Sequence, residues 1–270
     1  MKTQGIKISN SEYRKRDGVS SSDLKKMIKS PAHYKYWKEH ADEVSTPALV
    51  FGKAAHKYML EQDEFFDEFA IAPICDRRTK EGKETYARFL EESVDKDVIS
   101  NEDFEVIMDM HKALYETPFV EKLLSGEKEL SFFADDFETG LVMKCRPDCI
   151  TEIGGQHLLI DYKTTTDAEN MKFYRDSIKL NYDVQMAYYL DILREATGKD
   201  YTVIIIAQEK TAPYCVNVFE LSDQYISGGR EVYREMLNLY KQCSDTGIWH
   251  GYMKNNVNIL GQPTDESEEE

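Results

Sequence analysis

The sequence predicts an α/β fold: a mixed central sheet flanked by helices and preceded by a helical region. Three observations predict it. Residues up to about 125 carry capping residues and apolar positions at helical spacing. Beyond Gly126, strand-length segments at 129–137, 141–151, 156–163, 201–209 and 214–221 are separated by turn residues or by a long helical segment. The run Val203-Ile-Ile-Ile206 is continuous and β-branched, as in a strand buried on both faces.

Taken in order, the stretch 20–29 starts with serines and Asp23 at capping positions and runs into an amphipathic helix. Ser30-Pro31 breaks it, and Pro31 suits the first turn of a second helix over 32–38. Further helices are expected over 48–62, 80–93 and 101–124, with a polar, basic, loop-like stretch at 76–83. Asp135-Asp-Phe-Glu-Thr-Gly140 is rich in turn residues, and Gly154-Gly155 makes a tight turn between the strands 141–151 and 156–163. A long helix follows over 182–197, and a closing helix over 223–241.

A chain of 270 residues with 41% hydrophobic residues and 11% aromatics can bury a real core, which sets a disordered chain aside. No apolar run approaches the ~20 residues a membrane helix needs. The first residues lack an apolar leader core, and five cysteines without even spacing argue against a disulfide framework. A reducing cytosol is therefore the expected compartment. The net charge is -16, and the acidic stretch 265–270 supplies five of the acids, so −11 remains without it. Any nucleic-acid partner must then be met by basic residues gathered on one surface.

The stretch that carries chemistry is Arg146-Pro147-Asp148 followed, twelve residues later, by Asp161-Tyr162-Lys163. The two acids fall on adjacent strands of the expected hairpin, so cross-strand pairing brings them together. Asp161 and Lys163 are two apart and share a face. Two carboxylates and an ammonium in a small volume suit a hard divalent cation and the hydrolysis of a phosphodiester. Solvated strand ends with a simple ion pair produce the same triplet. Yet Leu158-Leu-Ile160 leads into Asp161, and an acid emerging from an apolar strand needs a partner.

These residues resemble the PD-(D/E)xK nuclease superfamily, with Asp161 in place of the commoner Glu. Gly52-Lys-Ala-Ala-His56 is similar to the G-x-x-x-H of its RecB-like branch, and Gln185-Met-Ala-Tyr-Tyr189 to that branch's Q-x-x-x-Y. Within the branch the chain most resembles the RecE-type phage or prophage exonucleases (exodeoxyribonuclease VIII), including Ser21-Ser-Asp-Leu and Ser30-Pro31-Ala-His-Tyr34, over about 20–252. The resemblance implies a PD-(D/E)xK core and a single nuclease domain over 20–252, mostly helical to 125 and catalytic from 126. An extension over 1–19 and an acidic tail over 253–270 flank it. It implies Asp148, Asp161, His56 and the Tyr162 carbonyl as metal ligands for Mg²⁺, with Mn²⁺ able to substitute, and Lys163 as the catalytic lysine. Glu129 matches an acidic position before the first core strand, the alternative being an exposed strand-start acid. Gln185 and Tyr189, on one helix face, would brace the lysine strand, touch DNA, or simply pack.

The activity so implied is exonucleolytic digestion of double-stranded DNA ends from the 5′ side, by a homo-tetrameric ring that works with a single-strand annealing protein in the bacterial host cytosol. Another RecB-like nuclease, or a non-catalytic DNA-binding or assembly protein, are the alternatives. DNA contact is expected from Lys25, Lys26 and Lys29, interleaved further on with Tyr34, Tyr36 and Trp37, from Arg77, Arg78 and Lys80, and from Arg146. No close cysteine pair points to an iron–sulfur cluster, and no P-loop occurs.

Overall fold

A computed structural model describes residues 5–40 and 46–252; the expected tail at 253–270 lies outside them. The chain runs β1 (Ile6–Lys7), α1 (Asn10–Lys15), β2 (Val19–Ser20), α2 (Ser21–Lys29), α3 (Pro31–Glu39), α4 (Pro47–Leu60), α5 (Phe65–Glu68), β3 (Phe69–Ile71), α6 (Lys80–Glu92), β4 (Asp97–Ile99) and α7 (Asn101–Glu116). It continues with α8 (Val120–Leu123), β5 (Glu127–Lys128), β6 (Leu130–Asp135), β7 (Val142–Cys145), β8 (Cys149–Ile153), β9 (Gln156–Thr165), α9 (Asn170–Lys179), α10 (Tyr182–Thr197), β10 (Thr202–Glu209), β11 (Val216–Glu220) and α11 (Asp223–Thr246).

The predicted mixed α/β architecture is present. A five-stranded sheet has the order β11-β10-β9-β8-β5; β9 and β10 pair in parallel, and the neighbours β10–β11, β8–β9 and β5–β8 pair antiparallel. A four-stranded sheet, β1-β6-β7-β2, stands beside it. β10 is buried on both faces, as its β-branched run requires. Even-numbered β9 residues Leu158, Ile160 and Tyr162 pack into a core shared with α4 and α7. Leu159, on the opposite face, joins the core under α10 and α11.

Helix starts follow their caps. Ser20 and Asp23 form a capping box on α2, Ser30 and Thr46 cap α3 and α4 ahead of a first-turn proline, and Ser222 caps α11.

Two expected elements are each broken in two. The helix expected over 101–124 ends at Glu116, because Pro118 removes a donor and Phe119 turns left-handed before α8. The strand expected over 141–151 is β7 and β8, which belong to different sheets and part company at Arg146-Pro147-Asp148. The expected strand at 129–137 starts one residue later, because Glu129 takes a left-handed backbone (φ 58) between β5 and β6.

Candidate active site

Two chain segments cross from one sheet to the other at neighbouring points, and the site lies there. Glu129 links β5 of the larger sheet to β6 of the smaller; residues 146–148 link β7 to β8 in the reverse sense. At such a crossing the ladder stops, and backbone and side-chain polar groups are left to bond one another. Glu129 N–H donates to the Asp148 carbonyl at 3.2 Å. Arg146 Nε lies 2.7 Å from Glu129 Oε2 and donates to the Glu129 carbonyl at 3.2 Å. Arg146 therefore holds both the unusual backbone turn and the carboxylate of Glu129.

The β8–β9 register pairs Cys149 with Ile160, which sets Asp148 opposite Asp161 one step further on. Tyr162 N–H donates to Asp148 Oδ2 at 2.7 Å. The Tyr162 side chain points into the α4–α7 core, its hydroxyl donating to Gln208 Oε1 at 2.7 Å, so only its backbone is available to the site. Lys163 shares the face of Asp161, with Nζ 2.6 Å from Asp161 Oδ2. From α4, His56 Nε2 comes within 3.0 Å of Asp148 Oδ2, and Nδ1 within 3.6 Å of Glu129 Oε1. Gly52, one turn before it, faces open space.

Burial and charge act together on these groups. Burial opposes a charge on His56, but Asp148 and Glu129 outweigh it and raise its pKa to about 9. Burial pushes the Glu129 carboxyl up to about 7, His56 pulling the other way. Asp148 is buried too, yet His56, Lys163 and the Tyr162 N–H keep its carboxyl below the usual range. Asp161 is raised by burial despite Lys163. Lys163 is desolvated, and Asp161 and Asp148 hold its ammonium above the ordinary lysine value.

From α10, Gln185 Nε2 donates to Asp161 Oδ1 at 3.2 Å. Tyr189, one turn on, packs against the α10–α11 core, and burial raises its hydroxyl well above the ordinary value, with Tyr13, Cys145 and both aspartates adding to it. Of the expected DNA-contacting residues, Lys25 reaches this site, with Nζ donating to Gln185 Oε1 at 2.8 Å. Lys26 and Lys29 are exposed on α2; Arg77, Arg78 and Lys80 are exposed at the start of α6, with Arg77 lying 4.7 Å over the Tyr86 ring. Arg146 is turned inward to Glu129. One site residue went unread in the sequence: Tyr182, whose ring centroid lies 5.1 Å from Lys163 Nζ. Its signal was its place three residues before Gln185, on the same helix face.

One ligand atom each from His56, Glu129 and Asp148 lie within 4.8 Å of one another. One nitrogen and two carboxylate oxygens fit a hard divalent cation such as Mg²⁺ or Mn²⁺. The buried Asp161 Oδ2 makes no aligned hydrogen bond and keeps a lone pair for a ligand. Asp161 was expected among the ligands and Glu129 was left open; the donor atoms that lie together among the described residues are those of His56, Glu129 and Asp148.

Fold and site together define a PD-(D/E)xK-type nuclease fold. The chain belongs to the family of PDDEXK-like domains of unknown function (DUF3799), whose model matches residues 20–256. Among solved structures it is similar to a protein from Eubacterium rectale named "Putative exonuclease", at a TM-score of 0.64 and 15% identity over 96% of each chain. A second, SSO0001, aligns at a TM-score of 0.31 and 14% identity, over 82% of this chain and 87% of that one. No curated protein matches the sequence. Among the described residues no helix is long and apolar enough to cross a membrane.

Proposed function

We propose that the chain is a metal-dependent double-strand DNA exonuclease of the RecE type, digesting from the 5′ end and leaving 3′ single strands for an annealing protein. The observation that carries the reading is the convergence of His56, Glu129, Asp148, Asp161 and Lys163 on one point where two sheets part. Degenerate copies of the fold have no chemical reason to keep all five.

His56, Glu129 and Asp148 would hold the metal, with Asp161 and the Tyr162 carbonyl completing the set. When bound, such an ion stabilises charge on a phosphate and its leaving oxygen. The Lys163 ammonium, kept charged by the aspartates, donates hydrogen bonds to the attacking water and the phosphate; it is too firmly protonated to act as the base. Gln185 fixes Asp161, and Arg146 fixes Glu129. The assembly is a homo-tetramer whose exposed cations line a channel, which reconciles DNA binding with a net charge of -16.

Digestion of end-labelled linear duplex tests the reading. Mg²⁺ or Mn²⁺ should support stepwise loss from the 5′ end, and a chelator should stop it. Undiminished digestion in excess chelator, or internal cuts without end dependence, would overturn it.

A further inference from the structure

Lys25 stands apart from the other lysines of its helix. Its side chain is half-buried, and its ammonium and that of Lys163 face one ring: Tyr182 lies 5.3 Å from Lys25 and 5.1 Å from Lys163, centroid to Nζ. Other inward-turned cations of this protein are met by several oxygens or by a carboxylate, and Lys144, which forms no ion pair among the described residues, donates to the carbonyls of Tyr13, Arg14 and Arg16. Lys57 meets Glu61, Glu64 and Glu68, Lys163 meets Asp161, and Arg146 meets Glu129. Among the described residues, no ion pair includes Lys25. Its partner is the neutral Gln185 amide, at 2.8 Å. Asp161 and Asp183 act on it only from beyond ion-pair distance.

Orienting Gln185 needs a hydrogen-bond donor, not a charge; a long neutral donor such as Gln would serve. A charge carried into a desolvated site costs free energy unless an anion joins it. Burial and the like charge of Lys163 lower the Lys25 pKa to about 7, and an anion beside the ammonium would offset both. The anion that enters a nuclease site is a phosphate.

Resting on the nuclease reading above, we propose that Lys25, with Gln185 and Tyr182, forms a phosphate subsite beside the catalytic lysine, where the Lys25 ammonium binds an oxygen of the DNA strand next to the bond being cut. Lys25 is then a substrate-binding residue of the site, distinct in role from Lys26 and Lys29 on the outer surface of the same helix.

The test is equilibrium binding of linear duplex with Ca²⁺ in place of Mg²⁺, measured from low to moderate salt for wild type, Lys25→Gln and Lys25→Arg. Lys25→Gln should weaken binding about tenfold and flatten the slope of log K against log salt by about one unit, while Lys25→Arg keeps the slope. Equal losses for 5′-phosphate and 5′-hydroxyl ends assign the contact to an internal diester. A larger loss with phosphorylated ends assigns it to the terminal monoester. An unchanged slope and affinity in Lys25→Gln would leave Lys25 a mere support for Gln185 and overturn the subsite. Wild type that binds no duplex would overturn the nuclease reading as well. If Lys25→Gln fails to fold, acylation of the wild-type protein decides: duplex should protect Lys25, and equal labelling with and without DNA overturns the proposal.

Discussion

Metal binding to the His56–Glu129–Asp148 cluster should strengthen steeply with pH. A metal ligand must be unprotonated, so binding displaces whatever protons the metal-free site holds. His56 titrates at about 9 and Glu129 at about 7. Both are raised above their ordinary values, so the metal-free site is proton-rich at neutral pH and the sign is fixed: lower pH means weaker metal. Between pH 8 and pH 6 His56 alone costs about 90-fold in apparent affinity, and Glu129 about tenfold more. His56 keeps 34% of its side chain exposed, and solvent screening trims the total to about 100-fold. Calorimetric titration with Mn²⁺ at pH 6, 7 and 8, in buffers of different ionisation enthalpy, reads both the affinity and the protons released. His56→Ala should remove one released proton and, because the imidazolium no longer holds the Glu129 carboxyl down, leave a shallower dependence set by Glu129 and shifted to higher pH. Equal affinity at pH 6 and pH 8 with no proton release would refute the assignment of His56 as a ligand.

Lys163→Ala should slow duplex digestion about 10²–10⁴-fold while calorimetry shows metal binding intact. Asp161→Ala should lose turnover and also weaken metal binding; if both variants keep metal affinity alike, Asp161 is no ligand. Arg146→Met strands the buried Glu129 carboxylate and should lower stability by about 3–5 kcal/mol in urea unfolding, with added Mn²⁺ recovering part of the loss; unchanged stability would mean Arg146 holds nothing. Light scattering should report a homo-tetramer, and the protein should degrade linear duplex and spare closed circles; a monomer, or ready cutting of circles, removes the ring.

Each part of the site that was legible in the sequence lies within a single element. His56 sits one turn after Gly52 on α4, Asp161 and Lys163 alternate on β9, and Gln185 and Tyr189 share a face of α10. Spacing within a helix or strand fixes direction, so short patterns sufficed. The Asp148–Asp161 pairing was legible for a similar reason: the Gly154-Gly155 turn sets the register of β8 on β9. The helix α9 went unread although Met171, Tyr174 and Ile178 recur at helical spacing along it, and the paired β3 and β4 went unread because they are three residues long.

What spacing alone could not give is whatever depends on elements distant in the sequence meeting; the resemblance supplied His56 and Gln185, and nothing supplied the partner of Arg146. The apolar residues on either side of Arg146-Pro147-Asp148 suggest one strand, and tertiary structure shows that β7 ends at Cys145 in one sheet and β8 begins at Cys149 in the other. That break is the reason for the site. A strand that continued in one sheet would spend the Asp148 and Glu129 backbone groups on ladder bonds and turn successive side chains to opposite faces. Crossing between sheets frees them. Glu129 N–H then bonds the Asp148 carbonyl, the left-handed Glu129 backbone brings its carboxylate towards His56, and Arg146 closes on it from the neighbouring crossing. Arg146 read as a cation free for DNA while its partner was invisible; once the two crossings are adjacent, it becomes the counter-charge that lets a third acid sit buried beside Asp148. The same logic applies to Lys25. Its sequence neighbours are surface lysines, and only the packing of α2 on α10 turns it, alone of that stretch, towards Gln185 and the catalytic lysine.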